Sequence, residues 1–343
     1  MTAQADAATI SLRMFGAVMD IYKKVFTAPG ISRPNPVRCN GFELDAVVES
    51  VCAEALDVVS LTLTRLGGEQ LPSWRPGSHL DVVLPSGRQR QYSLCGDPRD
   101  RRRYRIAVRR IADGDGGSVE MHGLRPGDAV RIRGPRNAFT FVENAPAYLF
   151  VAAGIGITPI LPMVHAAGPR GRLVYLGRSR ASMPFLDELP GDADIRPDDE
   201  TGASDIAAIL AEATPGAAVY VCGPPPVLEA AQRSMFTLNP TGSLHTERFS
   251  ARPVLDGREF DITLARSGVS VRVGSQESAL AAIRRVRPDA VYSCRQGFCG
   301  TCKTSVLSGA VDHRDRLLTP GERDDHMLVC VSRSVGGPLI LDL

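Results

Sequence analysis

Cysteine spacing near the end of this chain constrains its fold more than any other feature. Residues 294–309 are CRQGFCGTCKTSVLSG, so Cys294, Cys299 and Cys302 lie within nine residues, and Cys330 follows further along. The spacing C-x4-C-x2-C with a distant fourth cysteine is the plant-type pattern of a [2Fe–2S] cluster. It therefore predicts that the C-terminal part of the chain folds around four thiolate ligands.

The residues around these cysteines agree with a cluster loop. Gly297 and Gly300 permit backbone turns with positive φ, which lets amide N–H groups point at sulfur atoms. The fourth cysteine lies in MLVCVSR (327–333), an apolar run that we expect to form a strand. Zinc also takes four thiolates, but structural zinc sites usually pair two short cysteine knuckles. A zinc site and a set of unligated buried cysteines are the two alternatives.

The pattern upstream of the loop predicts a small ferredoxin domain over residues 258–343. FDITLARSGVSVRV (260–273) alternates in polarity as two strands joined at Ser267-Gly268 would, and ESALAAIRRV (277–286) has apolar residues at helical spacing. Strand, strand, helix, cluster loop and strand is the order of a β-grasp fold. The proline and glycine in residues 248–257 predict a linker into this domain.

Residues 144–247 alternate between apolar runs and helix-like segments, which predicts a doubly wound α/β nucleotide-binding domain. The apolar runs are AYLFVAA, RLVYLG and AVYVCG. GIGITP follows the first run, and its Gly154 and Gly156 permit close approach to a pyrophosphate at a helix N-terminus. Side chains after the second and third runs would line the same crevice; these are Arg178, Ser179, Arg180, Cys222 and Gly223. A solvated basic turn and a buried packing thiol are the alternatives.

Residues 38–143 contain six short strand-like segments separated by glycine and proline turns, which predicts an antiparallel β-barrel. One segment, RQRQYSLCG, places Arg90 and Tyr92 on one face of a strand and Ser93 on the other. A flavin needs a cation for its phosphate, an aromatic wall and hydrogen bonds along its ring edge. GDGGS (114–118) can wrap a phosphate with backbone amides. A plain barrel strand is the alternative interpretation.

The bulk properties exclude few classes of protein. The net charge of +2 gives no argument for nucleic-acid binding. No run approaches the roughly 18 apolar residues of a membrane span. We see no secretion signal and expect a cytoplasmic protein, whose 8 cysteines are ligands or buried thiols rather than disulfides.

The first 37 residues stand apart and are expected to be helical. Five apolar side chains recur there at helical spacing, at Leu12, Phe15, Met19, Tyr22 and Phe26. Such a helix can dock on the body of the protein, lie on a membrane surface or contact a partner.

The motifs together resemble the phthalate dioxygenase reductase family. R-x-Y-S, AVRR, GGS, PRNAF, GIGITP, GRSRASM, CGPP, HTERF and the cluster loop occur here in one order, over residues 38–343. The resemblance implies a multidomain α+β chain with a flavin barrel, an NADH domain and a C-terminal ferredoxin. The position of the ferredoxin favours FMN, with FAD as the alternative.

The resemblance also implies roles for individual residues. The FMN site would comprise Arg90, Tyr92, Ser93, Ala107, Val108, Arg109, Gly116, Gly117, Ser118, Thr158 and Phe249. The nicotinamide dinucleotide would be held by Gly154, Gly156, Arg178, Ser179, Arg180, Cys222 and Gly223. The catalytic centre, where the two cofactors meet, would include Ser93, Cys222 and Phe249.

The expected activity is that of a reductase component of a two-component oxygenase system. Hydride transfer from NADH to the flavin would be followed by single-electron transfer through the cluster to a Rieske non-haem iron oxygenase or a cytochrome P450. We expect a monomer, with an acidic patch on the acceptor docking against Arg284, Arg285, Arg287 and Arg295. A redox sensor that acts through protein binding, without turnover, is the alternative function.

Overall fold

The computed structural model describes residues 42–343, and the predicted N-terminal helix within residues 1–37 lies outside that range. The described chain forms two compact units, residues 42–251 and residues 252–343. Among the helices of residues 42–343, none has the length and apolar character needed to cross a bilayer.

The first part of the described chain is a six-stranded antiparallel barrel. Its strands are β1 (Phe42–Ala55), β2 (Val58–Arg65), β3 (Ser78–Val83), β4 (Gln89–Ser93), β5 (Arg103–Arg109) and β6 (Ala129–Asn137). They are ordered β4-β3-β6-β1-β2-β5. A bridge between Leu94 and Ile106 joins the two outer strands, and the Cys95 N–H donates to the Arg105 carbonyl over 2.9 Å. All six predicted barrel segments are confirmed as strands.

Alternation along these strands fills the barrel with apolar side chains, because successive residues point to opposite faces. Leu61, Leu80 and Ile106 are fully buried there, and the chain's single tryptophan, Trp74, belongs to the same core. A short helix, α1 (Gly117–His122), follows β5. The sequence did not predict this helix, since its first turn begins among glycines that indicate a loop.

The second part of the same unit is a parallel five-stranded sheet. Its strands are β7 (Tyr148–Ala153), β8 (Gly171–Gly177), β9 (Asp194–Pro197), β10 (Ala218–Cys222) and β11 (Ser243–Glu247). Its helices are α2 (Ile157–Ala167), α3 (Asp198–Thr201), α4 (Ile206–Ala211) and α5 (Pro225–Leu238). The strand order β11-β10-β7-β8-β9 is doubly wound, with an apolar cluster on each face. This confirms the predicted architecture.

The C-terminal unit is a β-grasp fold. Its elements are β12 (Phe260–Leu264), β13 (Val269–Val273), α6 (Ala279–Val286), β14 (Lys303–Ser308), β15 (Val311–Asp312), β16 (His326–Leu328), β17 (Arg333–Ser334) and β18 (Leu339–Leu341). The main sheet has the order β13-β12-β18-β14-β16, in which β12 and β18 run parallel. The predicted strand pair and helix over residues 260–286 are confirmed.

One prediction in this unit is wrong. Cys330 was expected within a strand, but β16 ends at Leu328 and Cys330 lies in the turn that follows. The Leu328 carbonyl accepts hydrogen bonds from the N–H groups of Val331 and Ser332, at 3.1 and 3.0 Å, which closes the turn. The apolar composition of MLVCV therefore reflects burial of a turn against the core rather than an extended strand.

Candidate functional site

Four cysteine side chains converge in the C-terminal unit. The sulfur of Cys294 makes hydrogen-bond contacts with those of Cys299 and Cys330, and Cys330 also contacts Cys302. All four are free thiols, and three of them are buried. The contact with Cys294 and burial together raise the pKa of the Cys299 thiol. Because a bound metal ion stabilises the thiolate form, this donor set fits a cluster that supplies the missing positive charge.

The backbone of the cluster loop is shaped by its glycines. Gly297 and Gly300 have φ values of 79° and 78°, as their spacing predicts, and Arg295 also adopts a positive φ of 53°. A Cβ atom on Gly297 would lie 2.7 Å from the Val331 side chain, so the loop packs directly against the turn that carries Cys330. The Gln296 N–H donates to the Cys294 sulfur over 3.3 Å. The loop thus offers N–H donors to sulfur, as predicted.

The barrel brings Arg90 to the glycine loop before α1. A Cβ atom on Gly117 would come within 2.6 Å of the Arg90 guanidinium, and Arg90 forms an ion pair with Asp115 at 3.7 Å. Gly116 has a positive φ of 77°. Arg90 and the loop from Gly116 to Ser118 therefore form one cradle in which only glycine leaves room beside the cation. This cradle fits the phosphate end of a flavin.

Ser93 and Tyr92 lie at the end of β4 that is further from this cradle. Tyr92 packs against the barrel core and Ser93 is buried on the opposite face, as strand alternation predicts. The Ser93 hydroxyl donates to the Glu247 carboxylate at 3.5 Å. Glu247 is the last residue of β11, so this contact joins the barrel to the nucleotide-binding sheet.

Sequence reasoning missed Glu247, although it lies inside the quoted motif HTERF. Burial raises the pKa of Glu247 to about 8, and the Ser93 hydroxyl opposes that shift. A carboxyl group of this kind exchanges its proton near neutral pH. Phe249 follows two residues later with 45% of its surface exposed, so its ring is available to a bound ligand.

The remaining predicted flavin residues are on neighbouring elements. Ala107 and Val108 are buried on β5, and Arg109 at its end is exposed. Ser118 forms hydrogen bonds with the backbone of Ile111, which holds the glycine loop closed. Thr158 is buried at the start of α2, where its hydroxyl donates to the Ile155 carbonyl over 3.0 Å.

The predicted dinucleotide residues meet at the ends of two adjacent strands. A Cβ atom on Gly156 would lie 2.2 Å from the Cys222 carbonyl oxygen, and one on Gly223 would lie 2.7 Å from the Ala153 Cβ. The chain leaves β7 towards β8 and later returns to β10 on the other side of β7, which makes this the switch point of the sheet. Ligands of doubly wound sheets bind in that crevice.

The two arginines that follow β8 differ in their contacts. Arg180 forms an ion pair with Glu200 at 2.8 Å, and Ser179 caps the 3₁₀ turn that contains Arg180. Arg178 is exposed after β8.

Cys222 is fully buried, and burial raises the pKa of its thiol well above the usual range. The Cys222 side chain is therefore uncharged at neutral pH.

The chain is similar to known proteins over most of its length. A family described as the 2Fe-2S iron-sulfur cluster binding domain matches residues 262–335. Phthalate dioxygenase reductase of Burkholderia cepacia is 38% identical over 304 residues, which cover 84% of this chain and 94% of that protein. The solved structure of a phthalate dioxygenase reductase matches 88% of this chain and 98% of its own, at 37% identity and a TM-score of 0.66.

The same architecture occurs inside a longer enzyme. An intact type IV self-sufficient cytochrome P450 monooxygenase matches 88% of this chain at 39% identity and a TM-score of 0.66, and the match spans 41% of that enzyme. Fold, site geometry and similarity over most of the chain lead to one conclusion. The chain belongs to the phthalate dioxygenase reductase family, the NADH-dependent flavin and [2Fe–2S] reductases of oxygenase systems.

Proposed function

We propose that this reductase binds FMN in its barrel, takes electrons from NADH there, and delivers them through its cluster to a separate terminal oxygenase. A flavin supplies the chemistry that accepts a hydride and releases electrons singly. The observation that carries the proposal is the 3.5 Å contact between Ser93 and Glu247, because it joins barrel strand β4 to the end of strand β11 in the parallel sheet. Flavin and nicotinamide have to meet at that junction.

The residues of this junction have distinct proposed roles. Arg90 and the Gly116–Ser118 loop bind the flavin phosphate, and Tyr92 and Phe249 contact its ring. Ser93 and Glu247 hold a proton between Oγ and the carboxylate beside the reacting ring edge. Gly156 and Gly223 allow the protein backbone to approach the pyrophosphate closely, while the uncharged Cys222, buried at the end of β10, borders the nicotinamide site from below.

The proposed preference for NADH is supported by the pairing of Arg180. Its guanidinium already neutralises Glu200, which would have to be displaced for Arg180 to bind a 2′-phosphate. Steady-state kinetics with both nucleotides test this point. A preference for NADPH would contradict it.

The proposed acceptor surface is the basic side of the ferredoxin unit, formed by Arg284, Arg285, Arg287 and Arg295. Arg285 pairs with Glu277, and Arg287 with Asp289 at 3.0 Å. Arg284 and Arg295 lie over the ring of Tyr292, at 4.6 and 5.6 Å from its centroid. We propose that this side docks an acidic patch of the oxygenase. Its reduction rate should fall as ionic strength rises, and an unchanged rate would contradict this surface.

Anaerobic reduction of the purified protein tests the function as a whole. We expect NADH to bleach the flavin absorbance first and the cluster absorbance second, and the flavin released by denaturation to be FMN. Rapid NADH-dependent reduction of cytochrome c would exclude a sensor that works without turnover. Protein that contains iron and flavin but is not reduced by NADH would overturn the proposal.

A further inference from the structure

An arginine of the barrel binds a loop of the nucleotide-binding sheet. Arg105 on β5 donates two hydrogen bonds to the Glu188 carboxylate, each over 2.6 Å. Its guanidinium also donates to the Cys95 carbonyl over 2.9 Å. The paired, fork-shaped geometry fixes direction as well as distance. Burial disfavours the charge of Arg105, but the Glu188 hydrogen bonds and the charge interactions with Cys95, Glu188 and Glu54 together outweigh burial and raise the pKa of the guanidinium.

The loop that Arg105 contacts has an unusual backbone. Phe185 adopts a left-handed φ of 65°, which costs free energy for any residue with a side chain. Its ring is buried, and the Arg105 guanidinium lies 4.8 Å from the ring centroid. The Phe185 carbonyl accepts a hydrogen bond from the Glu188 N–H over 3.0 Å. Arg105 therefore contacts both ends of this turn and stabilises its strained conformation.

The same loop is connected to the nucleotide crevice. The Tyr175 hydroxyl lies 3.2 Å from the Pro184 carbonyl oxygen and 3.2 Å from that of Gly154. Gly154 begins the glycine turn assigned to the dinucleotide. On the barrel side, Arg105 is two residues before Ala107 on the strand assigned to the flavin. A continuous set of contacts thus joins the two cofactor sites.

We propose that Arg105 and Glu188 are positioning residues for hydride transfer. Their contact sets the glycine turn that begins at Gly154 at a fixed distance and angle from strand β5 of the barrel. The inference rests on the proposed flavin and nucleotide placement. Partly exposed ion pairs add little to stability, so geometry is the property that this pair controls. Hydride transfer is sensitive to it, because a displacement of about 1 Å can slow a reaction by about a hundredfold.

The test uses two conservative variants of the full-length holoprotein, Glu188→Gln and Arg105→Lys. The matched control is Glu49→Gln, since Glu49 pairs with Arg103 at 2.6 Å on the same strand but entirely within the barrel. Three quantities are measured: the rate of flavin reduction at saturating NADH, the long-wavelength absorbance of the nicotinamide–flavin complex, and hydrogen exchange of residues 180–188.

We expect about fivefold to tenfold slower flavin reduction, a weaker long-wavelength band and faster exchange in both variants, with the control unchanged. The double variant should be no slower than the slower single variant, because both changes remove one interaction. Lower thermal stability with unchanged rate and band would overturn the inference, as would additive rate effects. The unaltered protein, reduced by NADH in the same experiment, separates these outcomes from failure of the proposed function.

Discussion

Gly156 is the residue whose replacement should most directly affect nucleotide binding. In a Gly156→Ala variant, the new Cβ would lie 2.2 Å from the Cys222 carbonyl oxygen, so the glycine turn must move away from β10. Overpacking of this kind costs about 1–3 kcal/mol. We expect the KM for NADH to rise about tenfold, equivalent to about 1.4 kcal/mol. Steady-state kinetics measure this.

The control for that prediction is Gly191→Ala in the same domain, where nothing lies within 4 Å of the added Cβ. Its KM should match that of the unaltered protein. An equal rise in both variants would show that the close approach at Gly156 is not the cause.

His79 should make the stability of the barrel depend on pH. Burial, assisted by the charge of Arg136, lowers the pKa of His79 from 6.5 to about 3. The unfolded chain therefore binds the His79 proton more tightly between these values, and the contribution of His79 to stability falls as the pH drops below 6.5. At pH 5 the loss is about 2 kcal/mol. A His79→Gln variant should lose that part of the pH dependence.

Trp74 gives a direct measurement, because the only tryptophan of the chain is buried in the barrel core. Urea unfolding followed by its fluorescence at pH 7 and pH 5 reports on the barrel. A His165→Gln variant, which changes an exposed histidine, should show the same change in unfolding free energy between pH 7 and pH 5 as the unaltered protein. An equal change in unfolding free energy between the two pH values in all three proteins would rule out His79 as the titrating group.

Sequence reasoning identified residues where chemistry imposes spacing, and missed those where only the fold creates proximity. The four cysteines and the glycine turn follow from local spacing, and the structure brings each set together. Glu247 and Arg105 have no local pattern. Their partners, Ser93 and Glu188, lie far away in sequence and become neighbours only through the packing of the barrel on the parallel sheet.

At the scale of elements, helix α6 depends on its N-terminal cap. The Ser278 side chain accepts a hydrogen bond from the Ala281 N–H over 3.1 Å. Replacing Ser278 with alanine should destabilise the ferredoxin unit by about 1 kcal/mol. Urea unfolding followed by the visible circular dichroism of the cluster measures the change. Ser267→Ala, in the exposed turn between β12 and β13, is the control and should differ little from the unaltered protein.

The elements that the sequence did not predict lack the residue pattern typical of their type. Strand β9 has four residues and ends in Pro197, and β11 is the polar edge strand SLHTE, which pairs on one side only. Neither shows the apolar run expected of a covered parallel strand. Helix α5 begins with two prolines, which the first turn tolerates although they suggest a loop.

At the scale of the whole molecule, the cluster should be needed only for the last stage of electron delivery. A Cys330→Ser variant loses one cluster ligand, so cluster absorbance and cytochrome c reduction should fall by at least about tenfold. Reduction of ferricyanide should persist, because the flavin can transfer electrons to ferricyanide directly. Cys52→Ser is the control, because Cys52 is an exposed free thiol on β1. If ferricyanide reduction failed together with the cluster, the two units would not act in sequence.

Residues 248–259, which form neither helix nor strand, join the two units in one polypeptide. Electrons that pass from one unit to the other therefore follow unimolecular kinetics, and diluting the protein leaves that passage equally fast. Hand-over to the oxygenase is bimolecular and slows in proportion to dilution. A low concentration of the two proteins in a cell would thus slow only the transfer from reductase to oxygenase. Reduced reductase would then accumulate.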